Sequence, residues 1–166
     1  MNNNVLYRQE KDMYEDIISS ISAKLKSLNF NYKVFRTWKE FNQDFKDEFP
    51  TETAILGKGT LPDITVLYWD ENNNKHRMII EVKIGNLIVK DIGQAKMYGD
   101  IFNADKVLLV SLKDIRGSFI VFAENNHNFL LCANKTQVYT CVLKNRQLQL
   151  QSTYPRNGGF LWLPTT

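Results

Sequence analysis

Cysteine is scarce: Cys132 and Cys141 are the only two among 166 residues. Two thiols cannot by themselves build a four-thiolate zinc or iron–sulfur site, and they are too few for a disulfide scaffold. Both are expected as small core residues in a reducing, cytoplasmic setting. Long apolar runs are missing too. No stretch approaches the ~18 apolar residues that a membrane-spanning helix needs, so no membrane partner is expected. The opening Met1-Asn2-Asn3-Asn4-Val5 lacks the basic-then-apolar pattern of a secretory signal. With 8 glycines and 4 prolines the chain has no Pro/Gly/Ser linker, and no repeat or heptad array interrupts it. Nor does one sign of charge dominate. The 21 basic residues face 18 acidic ones for a net +3, which is compatible with a nucleic-acid partner without pointing to one. What is present is 43% hydrophobic and 23% charged, the composition of a single globular domain spanning residues 1–166.

Periodicity divides the chain into elements. Met13, Tyr14, Ile17, Ile18, Ile21, Leu25 and Leu28 recur at three- and four-residue intervals, which predicts a first helix stopped at Asn29. A strand is expected at about 32–35. Thr37-Trp38-Lys39-Glu40 has the form of a capping box. Trp38, Phe41 and Phe45 follow at helical spacing, read as core packing, so a second helix is expected to about Asp47 and to end at Pro50. The segment 51–60 reads as a loop or short edge strand. Ile64–Trp69 and Arg77–Lys83 are β-rich runs around the polar stretch 70–76, the pattern of an antiparallel hairpin. A helix is expected over about 89–102 and a doubly buried strand over 106–112, joined by a parallel crossover. Beyond Gly117, the runs 118–123, 136–143 and 147–151 read as β, and 129–133 is ambiguous. The fold class is α/β: a mixed central β-sheet flanked by helices, with a β-rich C-terminal part over about 113–166.

The chemistry concentrates at Pro62-Asp63 and Glu81-Val82-Lys83. Side chains alternate along a strand, so Glu81 and Lys83 point one way and Ile80 and Val82 the other. Residues paired across an antiparallel ladder have a constant index sum. Asp63 and Glu81 sum to 144, centring the turn at residue 72 inside the polar stretch. The two carboxylates are therefore expected opposite each other, with an ammonium beside them. Two adjacent buried anions are costly unless neutralised. Lys83 can neutralise one, and a divalent cation with hard oxygen ligands, Mg2+ or Mn2+, neutralises both. Such a site suits phosphodiester hydrolysis, with Lys83 orienting the attacking water or taking its proton.

Pro62-Asp63 followed by Glu81-Val82-Lys83 resembles the signature of the PD-(D/E)xK superfamily, the restriction-endonuclease-like nucleases. The resemblance covers about residues 8–112 and implies a restriction-endonuclease-like core. By that resemblance Asp63 and Glu81 bind metal, the backbone carbonyl of Val82 adds a ligand, and Lys83 assists the attacking water. Gln94-Ala95-Lys96-Met97-Tyr98 is similar to the Q-x-x-x-Y motif of RecB-type members, which implies that Gln94 and Tyr98 line the site or contact substrate. The superfamily also often places an acid on its first helix. Glu10, projected at about 100° per residue onto the apolar arc of Tyr14, Ile17, Ile21 and Leu28, is the first choice, and Glu15 is the fallback.

The expectation is thus a Mg2+- or Mn2+-dependent nuclease acting on nucleic acid, DNA being the expected substrate. The alternative is a catalytically inactive nucleic-acid- or protein-binding module on the same fold. Asp63, Glu81, Lys83, Glu10 and Gln94 are the candidate catalytic residues. Lys90 and Lys96 join Gln94 and Tyr98 as candidate nucleic-acid contacts. Together with Lys106, Lys113 and Arg116 these lysines form either a phosphate-tracking surface or a scattered solvated face. Monomer and homodimer both stay open, because many small members of the superfamily pair to cut two strands. His76 and His127 fall in Asn-rich turns without metal-ligand spacing and are expected as surface loop residues.

Overall fold

A six-stranded mixed sheet, in the order β1-β2-β3-β4-β5-β6, forms the centre of the molecule. The computed structural model describes residues 7–37, 42–57, 60–149 and 154–155. The strands are β1 (Asn31–Phe35), β2 (Ile64–Trp69), β3 (Lys75–Lys83), β4 (Lys106–Ser111), β5 (Val138–Lys144) and β6 (Gln147–Leu148). β1–β2, β2–β3 and β5–β6 pair antiparallel, whereas β3–β4 and β4–β5 pair parallel. The helices are α1 (Tyr14–Ser27), α2 (Gln43–Glu48), α3 (Pro50–Leu56), α4 (Val89–Ile101) and α5 (Gly117–Asn125), with a 3-10 turn at Glu10–Met13 ahead of α1. Among the described residues no helix is long and apolar enough to cross a membrane.

Strand alternation sorts the core into two layers. Ile17, Ile21 and Leu25 of α1 share a buried cluster with Val66, Ile80, Val82 and Leu108 on one face. Ile92, Ala95 and Tyr98 of α4, with Phe102 just beyond its end, join Leu67, Ile79, Leu109 and Val138 on the other. Each fully buried aliphatic side chain contributes roughly 1.5–3 kcal/mol, so both sheet faces are strongly specified. Cys132 and Cys141 are buried free thiols. Asn29 ends α1 in the left-handed region, at φ 58°, which its short polar side chain tolerates.

Three segments depart from the sequence expectation. The second helix covers only Gln43–Glu48, capped by the Asn42 side chain, which accepts from the Phe45 amide at 3.0 Å. Trp38 and Phe41, placed on that helix by spacing, lie outside the described residues. Pro50 does not end the helical region but opens α3, where a loop or edge strand was expected. Phe49 breaks the helical run at φ −132°, ψ 58°, and proline at a first helical position loses no hydrogen bond and has its φ preset. Glu52 then ties α3 to the sheet through Arg77 Nη1 at 3.0 Å.

Residues 118–123 are helical rather than β. Their β-branched and aromatic content suggests a strand, but β4 and β5 are neighbours in parallel. A parallel pair needs a crossover, and this segment supplies it. Phe119 and Phe122 hold α5 in place edge-on against Phe129, with ring centroids at 5.6 and 4.9 Å. Of the C-terminal runs expected as β, 136–143 and 147–151 correspond to β5 and β6, with 150–151 outside the described residues, and α5 makes the described part mixed rather than β-rich. His76 lies in β3 rather than a loop, stacked on the Tyr68 ring at 4.9 Å, with Nε2 3.0 Å from Asp70 Oδ2.

At Gly99, α4 lies tight against Val107 of β4 and against Cys132. A Cβ at this position would come within 2.6 Å of Cys132 Sγ and 2.7 Å of Val107 Cγ2. Both neighbours are fixed in the core, so Gly99→Ala is expected to destabilise by about 2 kcal/mol. A thermal melt should show this as a fall in Tm of roughly 6 °C.

Candidate active site

The register of the β2–β3 hairpin decides where the acids go. Ile64 pairs with Ile80 and Thr65 with Ile79, so paired residue numbers sum to 144. Asp63, one residue before β2, therefore stands across from Glu81. On β3, Glu81 and Lys83 share the parity of Ile79 and face the α4 side, while Ile80 and Val82 are packed beneath α1. Lys83 is also the last residue of the parallel pairing, opposite Ser111 at the carboxyl end of β4. Ligand sites in open α/β sheets form at such strand ends, where the following loops diverge.

Asp63 is held on all sides. Its Oδ2 accepts from the Val82 amide at 2.8 Å, and its Oδ1 accepts from the Tyr14 hydroxyl at 2.5 Å. The Thr37 hydroxyl is turned to the carbonyls of Pro62 and Asp63, lying 2.9 Å from the latter. Glu81 is more deeply buried, at 2% exposure. Lys83 Nζ donates to its Oε1 at 2.8 Å. Its Oε2 is buried with no hydrogen-bond partner.

The electrostatics follow from this crowding. Burial, then the negative charge of Asp63, pushes the Glu81 carboxyl up to about 7, against the pull of Lys83. The Asp63 amide also favours the Glu81 anion, without closing a hydrogen bond to Oε2. Asp63 is raised as well, by burial, with Tyr14, Val82 and Lys83 opposing. For Lys83 the largest single influence, desolvation, favours the neutral amine. The hydrogen bond and charge of Glu81, with Glu10 and Asp63 behind them, outweigh it and hold the ammonium above its ordinary value.

Glu10 joins this group, though not by the route its helical projection assumed. It sits in the 3-10 turn before α1. Its pKa is raised by burial and by Asp63 and Asp91, while Lys83 and the Ile84 amide lower it. Glu15 does not join: it is 63% exposed and pairs with Arg36 at 2.9 Å. Tyr98 is buried at 2% and feels Glu81, Asp63 and Lys83, and Gln94 Nε2 lies 3.5 Å from its hydroxyl. Lys90 is exposed on α4, one turn before Gln94 and two before Tyr98. Lys96 is directed elsewhere, donating to the carbonyls of Asn128 and Phe129 at 3.1 and 3.4 Å. Tyr14 and Thr37 are contacts that sequence reasoning missed. The only signal for Tyr14 was a phenol on the buried stripe of α1, which must find a polar partner. Thr37 read as a helix cap.

Among the described residues no group of three or more His, Cys, Asp or Glu side chains forms a ready cage for an ion. Asp63 commits both oxygens to donors, and Glu81 commits one. The unpartnered Oε2 of Glu81 nevertheless fits a cation, because a buried carboxylate oxygen left bare is costly and a cation removes that cost. Asp63, across the hairpin, retains a second lone pair on each oxygen. Glu81 and Asp63 are thus the two acids with oxygen lone pairs to offer a hard divalent ion, and Glu10 adds negative charge nearby without completing a three-acid cage.

No family model matches the chain, and no curated protein matches it. The charge balance of the site is directly testable. Because the folded-state pKa of Glu81 lies above its ordinary 4.5, at about 7, its contribution is full below pH 4.5 and is lost as the pH rises through 7. Glu81→Gln mimics the neutral acid, so it should stabilise the fold at pH 8 by up to about 3 kcal/mol and leave it unchanged near pH 4. Thermal melts of both proteins between pH 4 and 8 check this, and parallel curves would contradict it.

Proposed function

We propose that the protein is a metal-dependent nuclease of the PD-(D/E)xK type, hydrolysing phosphodiester bonds of DNA with Mg2+ or Mn2+. The observation that carries this reading is the bare, buried Oε2 of Glu81 beside Asp63 and Lys83. A salt bridge serving only stability would pair both carboxylate oxygens or expose the free one. Here the free oxygen is buried, next to a second acid, at the carboxyl end of a parallel strand pair.

In this reading Asp63, Glu81 and Glu10 hold the cation, with the Val82 carbonyl as a further ligand. When bound, the ion polarises the scissile phosphate and makes its water more acidic. Among the chain's own residues, Glu81, Glu10 and Asp63 favour the Lys83 ammonium, which would donate hydrogen bonds to water or phosphate and offset phosphate charge. Gln94 and Tyr98 line the floor on the α4 side, and Lys90, exposed along the same helical row, offers a contact to the phosphate backbone. Lys96, tied to two carbonyls, is left out of that contact surface. The pairing of two copies to cut both strands of a duplex belongs to the same proposal.

The test is cleavage of linear, nicked, branched and single-stranded DNA with Mg2+ or Mn2+. Activity abolished by a chelator and by Glu81→Ala is expected. Lys83→Ala should lower kcat by roughly 10²-fold or more. DNA binding without cleavage at any metal concentration would favour the inactive binding module instead. Cleavage that survives Glu81→Ala would place the activity elsewhere.

A further inference from the structure

Tyr14 is 4% exposed and comes from α1, beneath the sheet face opposite to α4. Its hydroxyl reaches past the sheet end to Asp63 Oδ1 at 2.5 Å. The Val82 amide takes Asp63 Oδ2 at 2.8 Å. One donor on each oxygen fixes the carboxylate at two points and so sets both its plane and its rotation. An ionised carboxylate has about four lone-pair sites, so two remain, one per oxygen, and their directions are dictated by the two donors. Neither donor carries a positive charge. The arrangement therefore orients Asp63 without neutralising it, in contrast to Glu81, whose bound oxygen faces an ammonium.

We propose that Tyr14 is a positioning residue for the metal ligand Asp63, its phenol holding the carboxylate so that the lone pairs left on both oxygens are presented to a divalent cation. This rests on the metal-dependent reading of the site and adds to it a support from the first helix. Groups that orient a ligand in this way typically change metal affinity 10–100-fold when removed. A phenol that served packing alone would not. Its ring belongs to the α1 cluster with Ile17 and Ile21, and Tyr14→Phe keeps that ring.

The experiment measures Mn2+ affinity by the decline of the free-ion EPR signal, in the wild type, Tyr14→Phe, Asp63→Asn and Tyr7→Phe. Tyr7 is the matched control: it lies just ahead of α1 and its hydroxyl bonds Asp16 Oδ2 at 2.7 Å, on a carboxylate outside the site. Tyr14→Phe is expected to weaken Mn2+ binding about tenfold or more, with Tyr7→Phe unchanged and Asp63→Asn weaker still. In cleavage assays the metal concentration for half-maximal rate should rise by a similar factor in Tyr14→Phe, with kcat at saturating metal nearly kept. Wild-type affinity in Tyr14→Phe alongside a loss in Asp63→Asn would overturn the positioning role and leave the metal site standing. Equal Mn2+ binding by the wild type and Asp63→Asn would overturn the metal site itself, and this role with it.

Discussion

The pairing of Ile64 with Ile80 and Thr65 with Ile79 is the constraint from which the rest of the site follows. Strand side chains alternate, so a slip of one residue would send Glu81 and Lys83 under α1 among Ile17, Ile21 and Val66, and would bring Ile80 and Val82 to the α4 side. The register is held from the far end of the hairpin. Asp70 Oδ1 accepts from the amides of both Asn72 and Asn74 at 2.9 Å, and Asn73 adopts φ 62°. This side-chain-capped turn fixes how many residues lie between the strands. Two acids nine residues further along are thereby set across from each other by turn chemistry that never touches them.

That opposition creates a charge problem that the molecule resolves unevenly. Asp63 receives two neutral donors, from Tyr14 and Val82, whereas Glu81 receives one cationic donor and keeps a bare oxygen. Hydrogen bonds to a carboxylate favour its ionised form, and burial opposes that. Both acids are raised, because burial is the largest influence on each. The consequence is a site with an internal preference for added positive charge. Lys83 supplies one such charge and is itself held protonated by its neighbours.

Much of this was legible in the sequence, and for identifiable reasons. The hairpin, the parallel crossover and the opposition of Asp63 and Glu81 follow from period-two alternation, a long polar turn and an index sum. These are local properties of a well-patterned segment. Where expectation failed, tertiary context won. Residues 118–123 carry strand-forming side chains, yet the parallel β4–β5 pairing requires a crossover there. Pro50 reads as a stop in the sequence, yet a proline terminates one helix and begins another equally well; here Phe49 breaks the run and packs on Phe45 and Phe102. Tyr14 was legible only as a core residue, since nothing in its spacing says which acid its hydroxyl will meet. Lys96 illustrates the converse: a basic side chain near the motif reads as part of a phosphate surface, but it donates to two backbone carbonyls 32 and 33 residues away.

The protonation of Lys83 narrows how the proposed chemistry can run. A lysine that removes a proton from water must first be neutral, and desolvation alone would move it in that direction. In this site Glu81 reverses that effect, with a 2.8 Å hydrogen bond and its negative charge, and Glu10 and Asp63 add to it. The balance among the chain's own residues therefore favours the ammonium form of Lys83, a hydrogen-bond donor. As a donor it can hold a water or a phosphate oxygen while remaining tied to Glu81. No other described basic side chain contacts either acid, and the phenols near the site are raised in pKa by burial. Proton removal from the attacking water thus has no ready acceptor among these side chains other than a carboxylate. Of the four oxygens of Asp63 and Glu81, the one without a donor is Glu81 Oε2. On the proposed reading, the same atom would help to hold the ion and would also be the acceptor for the water's proton, so both roles would fall on a single buried oxygen.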